Sequence, residues 1–139
     1  MAGATMTFAY DDVGTVKKII IDWLSDDATA DVVGTTKKIS GFLLKGVTDP
    51  DVNAPDDNYN IILTDEEGSN ILLNCNDDLL LRDTANIESV DFVIRDIAVA
   101  GQASGAGERP CASDMITVSI DSAGNANEGR LVLYWMGSV

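Results

Sequence analysis

Residues 115–136 read M-I-T-V-S-I-D-S-A-G-N-A-N-E-G-R-L-V-L-Y-W-M, and this stretch decides the fold class. Ile116, Val118 and Ile120 alternate with Met115, Thr117 and Ser119. Successive strand side chains point to opposite faces, so alternation with period two marks a half-buried strand. Leu131, Leu133 and Trp135 alternate in the same way with Val132, Tyr134 and Met136. The nine residues between them, D-S-A-G-N-A-N-E-G, hold nothing apolar larger than alanine. The pattern predicts a terminal β-hairpin with a long polar tip. Tyr134 and Trp135 are neighbours and must face opposite ways. One belongs to the core, and the other is a surface aromatic or an interface anchor.

The same signal recurs towards the N-terminus. Residues 16–24 (V-K-K-I-I-I-D-W-L) put Ile19, Ile21 and Trp23 on one face. Residues 39–47, 59–64 and 70–74 also read as strands. The last two face each other across the turn Asp65-Glu66-Glu67-Gly68, where Asp bonds locally to backbone and Gly supplies positive φ. Residues 86–98 fit both a helical and a strand spacing, and their β-branched content tilts them to strand. Residues 100–112 (A-G-Q-A-S-G-A-G-E-R-P-C-A) read as a surface or interaction loop. Short strands broken by turns predict an all-β, single-domain protein, an antiparallel β-sandwich or barrel. Residues 14–139 form its body, and residues 1–13 an N-terminal arm or first strand.

Size and charge narrow the function. At 139 residues the chain can build one core without a disulfide or metal. Nine Lys+Arg against 23 Asp+Glu give a formal charge of −14. Phosphate backbones and anionic membrane surfaces are bound by Lys and Arg, so neither nucleic acid nor a membrane is an expected partner. The sequence contains no histidine, which removes His-based nucleophile systems, His-ligated zinc and histidine pH switching. Asp56-Asp57, Asp65-Glu66-Glu67 and Asp77-Asp78 could form an acid/base pair. With so many acidic residues, solvated turns account for them. Asp121, Asn125, Asn127 and Glu128 miss the EF-hand spacing. Cys75 and Cys111 form no CxxC and are expected to stay reduced. No catalytic, cofactor-binding or metal-binding residue is assigned, and the protein is not expected to be an enzyme.

Two features suggest binding instead. Residues 1–10 carry no charged side chain and hold Met6, Phe8 and Tyr10. Such a segment can add to a neighbour's sheet edge as a docking strand, or serve as the first strand of its own sheet. Lys17, Lys18, Lys37 and Lys38 form the obvious basic cluster, in two matching openings, G-T-V-K-K-I and G-T-T-K-K-I. These seven residues and Tyr134 are the candidate partner-binding residues.

A family resemblance goes further. One stretch begins T-T-K-K-I-S-G-F-L-L at Thr35 and runs through Pro50 and A-P-D-D-N-Y at Ala54 to L-T-D-E-E-G at Leu63. The other is A-G-N-A-N-E-G at Ala123, followed by L-V-L-Y at Leu131. In this order they resemble small β-rich structural proteins of tailed bacteriophages. The resemblance implies a virion component with no cofactor, made in the cytoplasm of a bacterial host. The role expected first is a capsid decoration or cement protein that binds and stabilises the assembled shell. Its partners would be other virion proteins, the major capsid protein above all, and copies of itself, a trimer by analogy. A tail or head–tail junction component is the alternative within that class. A carbohydrate-binding or calcium-dependent adhesion module is the alternative outside it.

Overall fold

A computed structural model describes residues 4–50, 53–56, 59–68, 82, 86–91 and 109–137. Among them the chain forms β1 (Thr5–Asp11), β2 (Val16–Leu24), β3 (Val32–Pro50), β4 (Asn60–Thr64), β5 (Glu88–Asp91), β6 (Arg109–Asp121) and β7 (Glu128–Met136). Every pairing between them is antiparallel. The order is β1-β2-β7-β3-β6-β4, with β5 also on β3. The all-β expectation therefore holds, with all seven strands hydrogen-bonded into one sheet.

That sheet is doubled over, and β3 is the fold line. Its 19 residues would extend about 60 Å if straight. Yet Val32 pairs with Ile120, and Pro50 pairs with Gly129. The connection from β6 to β7 spans only residues 122–127, which can reach about 23 Å. The two ends of β3 must therefore lie close together. Register shifts between Thr35 and Lys38, Ile39 and Gly41, and Leu43 and Lys45 mark where it bends. Bulges add an unpaired residue and turn the strand. At the first shift, Thr36 is buried, and its hydroxyl accepts from the Ile116 amide at 3.0 Å and donates to the Lys37 carbonyl at 2.7 Å. Gly41 has a φ of 142°, and a Cβ there would run into the Met136 carbonyl.

The doubling makes two layers. The first half of β3, with β6 and β4, faces β1, β2, β7 and the second half of β3. Trp23 and Tyr59 show this directly. Strands β2 and β4 are four places apart in the sheet, or about 19 Å if flat. The Trp23 and Tyr59 rings are nevertheless 5.7 Å apart. Ile19, Ile21, Leu131 and Leu133 from one layer join Ile61, Leu63, Ile116, Val118 and Ile120 from the other in one core.

The terminal hairpin is not formed. β6 pairs with β3 and β4, whereas β7 pairs with β2 and β3. Alternation reports which face of a strand is buried but not which neighbour it pairs with, and here β3 lies between the two. The polar segment expected as a free tip is instead a crossing between layers. Ser25 is fully buried; its hydroxyl donates to the Gly124 carbonyl at 2.6 Å and accepts from the Asn127 amide at 3.0 Å. The Asp56 and Glu128 amides donate to the Ala123 and Asn53 carbonyls at 2.9 and 2.7 Å.

Other expectations divide. The turn at Asp65 forms, with the Gly68 amide donating to the Asp65 carbonyl at 3.0 Å. Its expected partner strand, residues 70–74, lies outside the described residues, as do residues 92–108 and Cys75. Arg109–Ala112, expected as loop, begin β6. Pro110 is tolerated there because, among the described residues, that part of β6 pairs on one edge only, with β3.

Candidate interaction faces

Register and alternation lay out the outer surface of each layer. On the β1-β2-β7-β3 layer the central row is Ala9, Ile20, Val132 and Val47. On one side lies the row Thr7, Asp22, Arg130 and Asp49. On the other lies the row Asp11, Lys18, Tyr134 and Lys45. Beyond that come Val16, Met136 and Phe42, with Val16 57% and Phe42 38% exposed. Beyond the Asp22 row come Thr5, Leu24 and Glu128, which line one side of a shallow groove of about 270 Å³. Over β1, β2, β7 and β3 the three central rows hold three carboxylates (Asp11, Asp22, Asp49) and three cations (Lys18, Lys45, Arg130), a formal sum of zero; β5 adds Asp91 at the margin, opposite Lys45 in register. Arg130 and Asp22 are joined through two bonds, Nε–Oδ1 at 2.7 Å and Nη2–Oδ2 at 3.2 Å. The Lys45 ammonium lies 4.6 Å from the centre of the Tyr134 ring.

The β3-β6-β4 layer presents a different outer face. Val33, Ser119 and Ile62 form one row, and Thr35, Thr117 and Thr64 the next. All six side chains are uncharged. Val33 is 61% exposed, and the Thr35 and Thr117 hydroxyls meet at 3.4 Å. Among the described residues charge returns at the margins, where Lys38 pairs with Glu66 at 3.4 Å and Asn60 donates to Asp121 at 2.9 Å.

The sequence-derived binding residues are dispersed over this frame. Met6, Phe8 and Tyr10 belong to β1 and pack half-buried against the core. Tyr10 accepts from the Lys37 amide at 2.8 Å, so β1 is fastened across to β3. The four lysines each have a different setting. Lys17 points inward and is 7% exposed, its ammonium 5.1 Å from the Trp135 ring centre. Lys18, one residue on, faces out opposite Tyr134. Lys37 pairs with Asp12 and lies 4.4 Å from the Tyr10 ring centre. Alternation separates Lys17 from Lys18, Lys37 is held at β1 by Asp12 and Tyr10, and Lys38 pairs with Glu66. Trp135 is the core aromatic and Tyr134 the outer one. The rows around Ile20 and Val33 escaped sequence reasoning, because each draws on strands far apart in the chain. The available signal was the second, outward set of β-branched residues in the alternating strands.

The acidic stretches take ordinary roles where they are described. Asp26 accepts from the Ala28 amide at 2.7 Å, Asp65 from the Glu67 amide at 3.0 Å, and Asp121 from Asn60. Among the described residues, no three Asp, Glu or Cys side chains converge as metal ligands would.

Comparison with family models, with curated proteins and with solved structures gave no match.

Proposed function

We propose that the protein is a structural component of a bacteriophage virion, a capsid decoration protein that attaches to the assembled shell through its β3-β6-β4 face. The observation that carries this reading is the uncharged face itself. A chain of net charge −14 is costly to bring against another surface wherever its carboxylates must be desolvated. Val33, Ile62, Thr35, Thr64, Thr117 and Ser119 can be covered without that cost. Five of the six, all but Ser119, are β-branched and stiff, so little rotamer freedom is lost on contact. A shell repeats each docking site many times, and the major capsid protein is the partner this reading requires. The resemblance to small β-rich phage proteins supports the same role, and the reading places the protein in the virion.

The test is to mix the purified protein with expanded shells lacking it and to locate it by reconstruction. Hundreds of copies on the shell surface are expected. Val33→Asp, which places a charge in the middle of the uncharged face, is expected to reduce binding at least tenfold with the fold intact. A few copies at one vertex would assign the protein to the head–tail junction instead. No association with shells or tails would overturn the virion reading.

A further inference from the structure

The other face, on β1-β2-β7-β3, is built to meet itself. We propose that two copies of this chain associate face to face through it, around a two-fold axis that runs along the row Ala9, Ile20, Val132 and Val47.

The geometry follows from the register. A two-fold axis lying in the interface along that row reverses the strand direction and preserves position across the strands. The Asp22 row of one copy then lies over the Lys18 row of the other. Strand by strand, Asp22 on β2 faces Lys18, and Asp49 on β3 faces Lys45. On β7, Arg130 faces Tyr134. These three are favourable pairings, two of opposite charge and one cation over an aromatic ring, while on β1 the uncharged Thr7 faces Asp11. Symmetry makes each occur twice. Further out, Leu24 faces Val16 of the second copy, apolar on apolar, and at the rim Glu128 faces Met136. Ile20, Val132 and Val47, all half-buried within one chain, meet their own counterparts on the axis and lose their remaining contact with water.

Charge argues for a second copy over an unrelated partner. Two chains of −14 repel at most orientations. The central rows over β1, β2, β7 and β3 sum to zero, and Asp91 of β5 adds one carboxylate at the margin, opposite Lys45 in register, so the copies approach here at less electrostatic cost than elsewhere. The order of charges also matches its own two-fold image, a condition that a surface for a different protein need not meet. Four strands and four rows cover roughly 20 by 25 Å. Two such faces bury on the order of 1,000 Å², at the lower edge of specific interfaces. The association is therefore expected in the micromolar range.

Sedimentation equilibrium on the full chain across the micromolar range tests it. A reversible monomer–dimer equilibrium is expected. Val132→Lys sets two like charges against each other on the axis and is expected to weaken the dimer at least a hundredfold, with an unchanged circular dichroism spectrum. Lys45→Asp and Asp49→Lys each oppose like charges and should weaken it about tenfold, while the double variant restores it. That restoration is the outcome a merely structural role cannot produce. A monomer throughout, a trimer, a dimer untouched by Val132→Lys, or single swaps that the double swap does not rescue would each overturn the proposal. Val33→Asp lies on the opposite layer and should leave the dimer intact, so shell attachment and self-association succeed or fail separately.

Discussion

Gly41 and Tyr59 carry the consequences that can be read most sharply from single side chains. Gly41 sits at the bend of β3 with a φ of 142°, where the position of a Cβ is already taken by the Met136 backbone. Neither the torsion nor the space suits any other residue, and the obstacle is main chain that cannot step aside. Gly41→Ala is expected to cost roughly 2–5 kcal/mol, from backbone strain plus overpacking. Urea unfolding measures it, and a loss below about 1 kcal/mol would mean that β3 bends elsewhere. Tyr59 is fully buried against Trp23. Burial pushes its phenol from the ordinary 10.0 up to about 12. Between those values the folded chain keeps a proton that the unfolded chain has released. This contribution to stability is therefore complete below pH 10 and drains away as the pH rises to about 12. The loss amounts to about 2–3 kcal/mol. Tyr59→Phe removes the titrating group, so its stability should fall less steeply over that window. Parallel slopes for the two proteins would show that the phenol is not shielded as the structure places it.

Among the elements, β1 has the clearest dependence. It forms the outer edge of its layer, yet it closes the core with Met6, Phe8 and Tyr10, and the phenol of Tyr10 ties it to β3. Deleting residues 1–11 removes three half-buried side chains and uncovers the matching surface of β2, at a cost of roughly 3–5 kcal/mol. A truncated protein as stable in urea as the full chain would make β1 a detachable arm. The alternation in residues 16–24 and 131–136 was enough to read those strands and their buried sides, because burial on one face is a local pattern. The hairpin between β6 and β7 was misread because pairing is not local. Both strands bury the same period, and only the 19-residue β3 between them decides their neighbours. The polar T-T-K-K at Thr35 concealed the first half of β3, since a bulge there breaks the alternation and buries Thr36 on its own hydrogen bonds. The lysines answer to a local rule instead. Sequence adjacency put Lys17 and Lys18 together, whereas the pleat sends one to the core and the other to the surface.

Over the whole molecule the governing quantity is the excess of acid. Even if all nine basic residues were paired, 14 of the 23 carboxylates would remain without a cation. The ion pairs that do form, such as Lys38 with Glu66 and Arg130 with Asp22, sit at the surface, where each contributes at most about 1 kcal/mol. Repulsion among the remaining carboxylates acts over longer distances and rises as the chain compacts. Added salt therefore has two opposing effects, weakening a few short attractions and screening many longer repulsions. Longer separations are screened first, with a Debye length of about 10 Å at 0.1 M. The repulsive sum is the larger, so sodium chloride should stabilise the fold. Between about 0.01 and 0.5 M the melting temperature is expected to rise by roughly 4–8 °C, equivalent to about 1–2 kcal/mol for a domain of this size. The measurement belongs on the native chain and on Val132→Lys together. Loss of the self-complementary face leaves the screening of the acidic body in place, so both melting temperatures should climb in parallel. A melting temperature that falls with salt in both proteins would mean that the surface ion pairs, not the unpaired carboxylates, dominate the electrostatics of the fold.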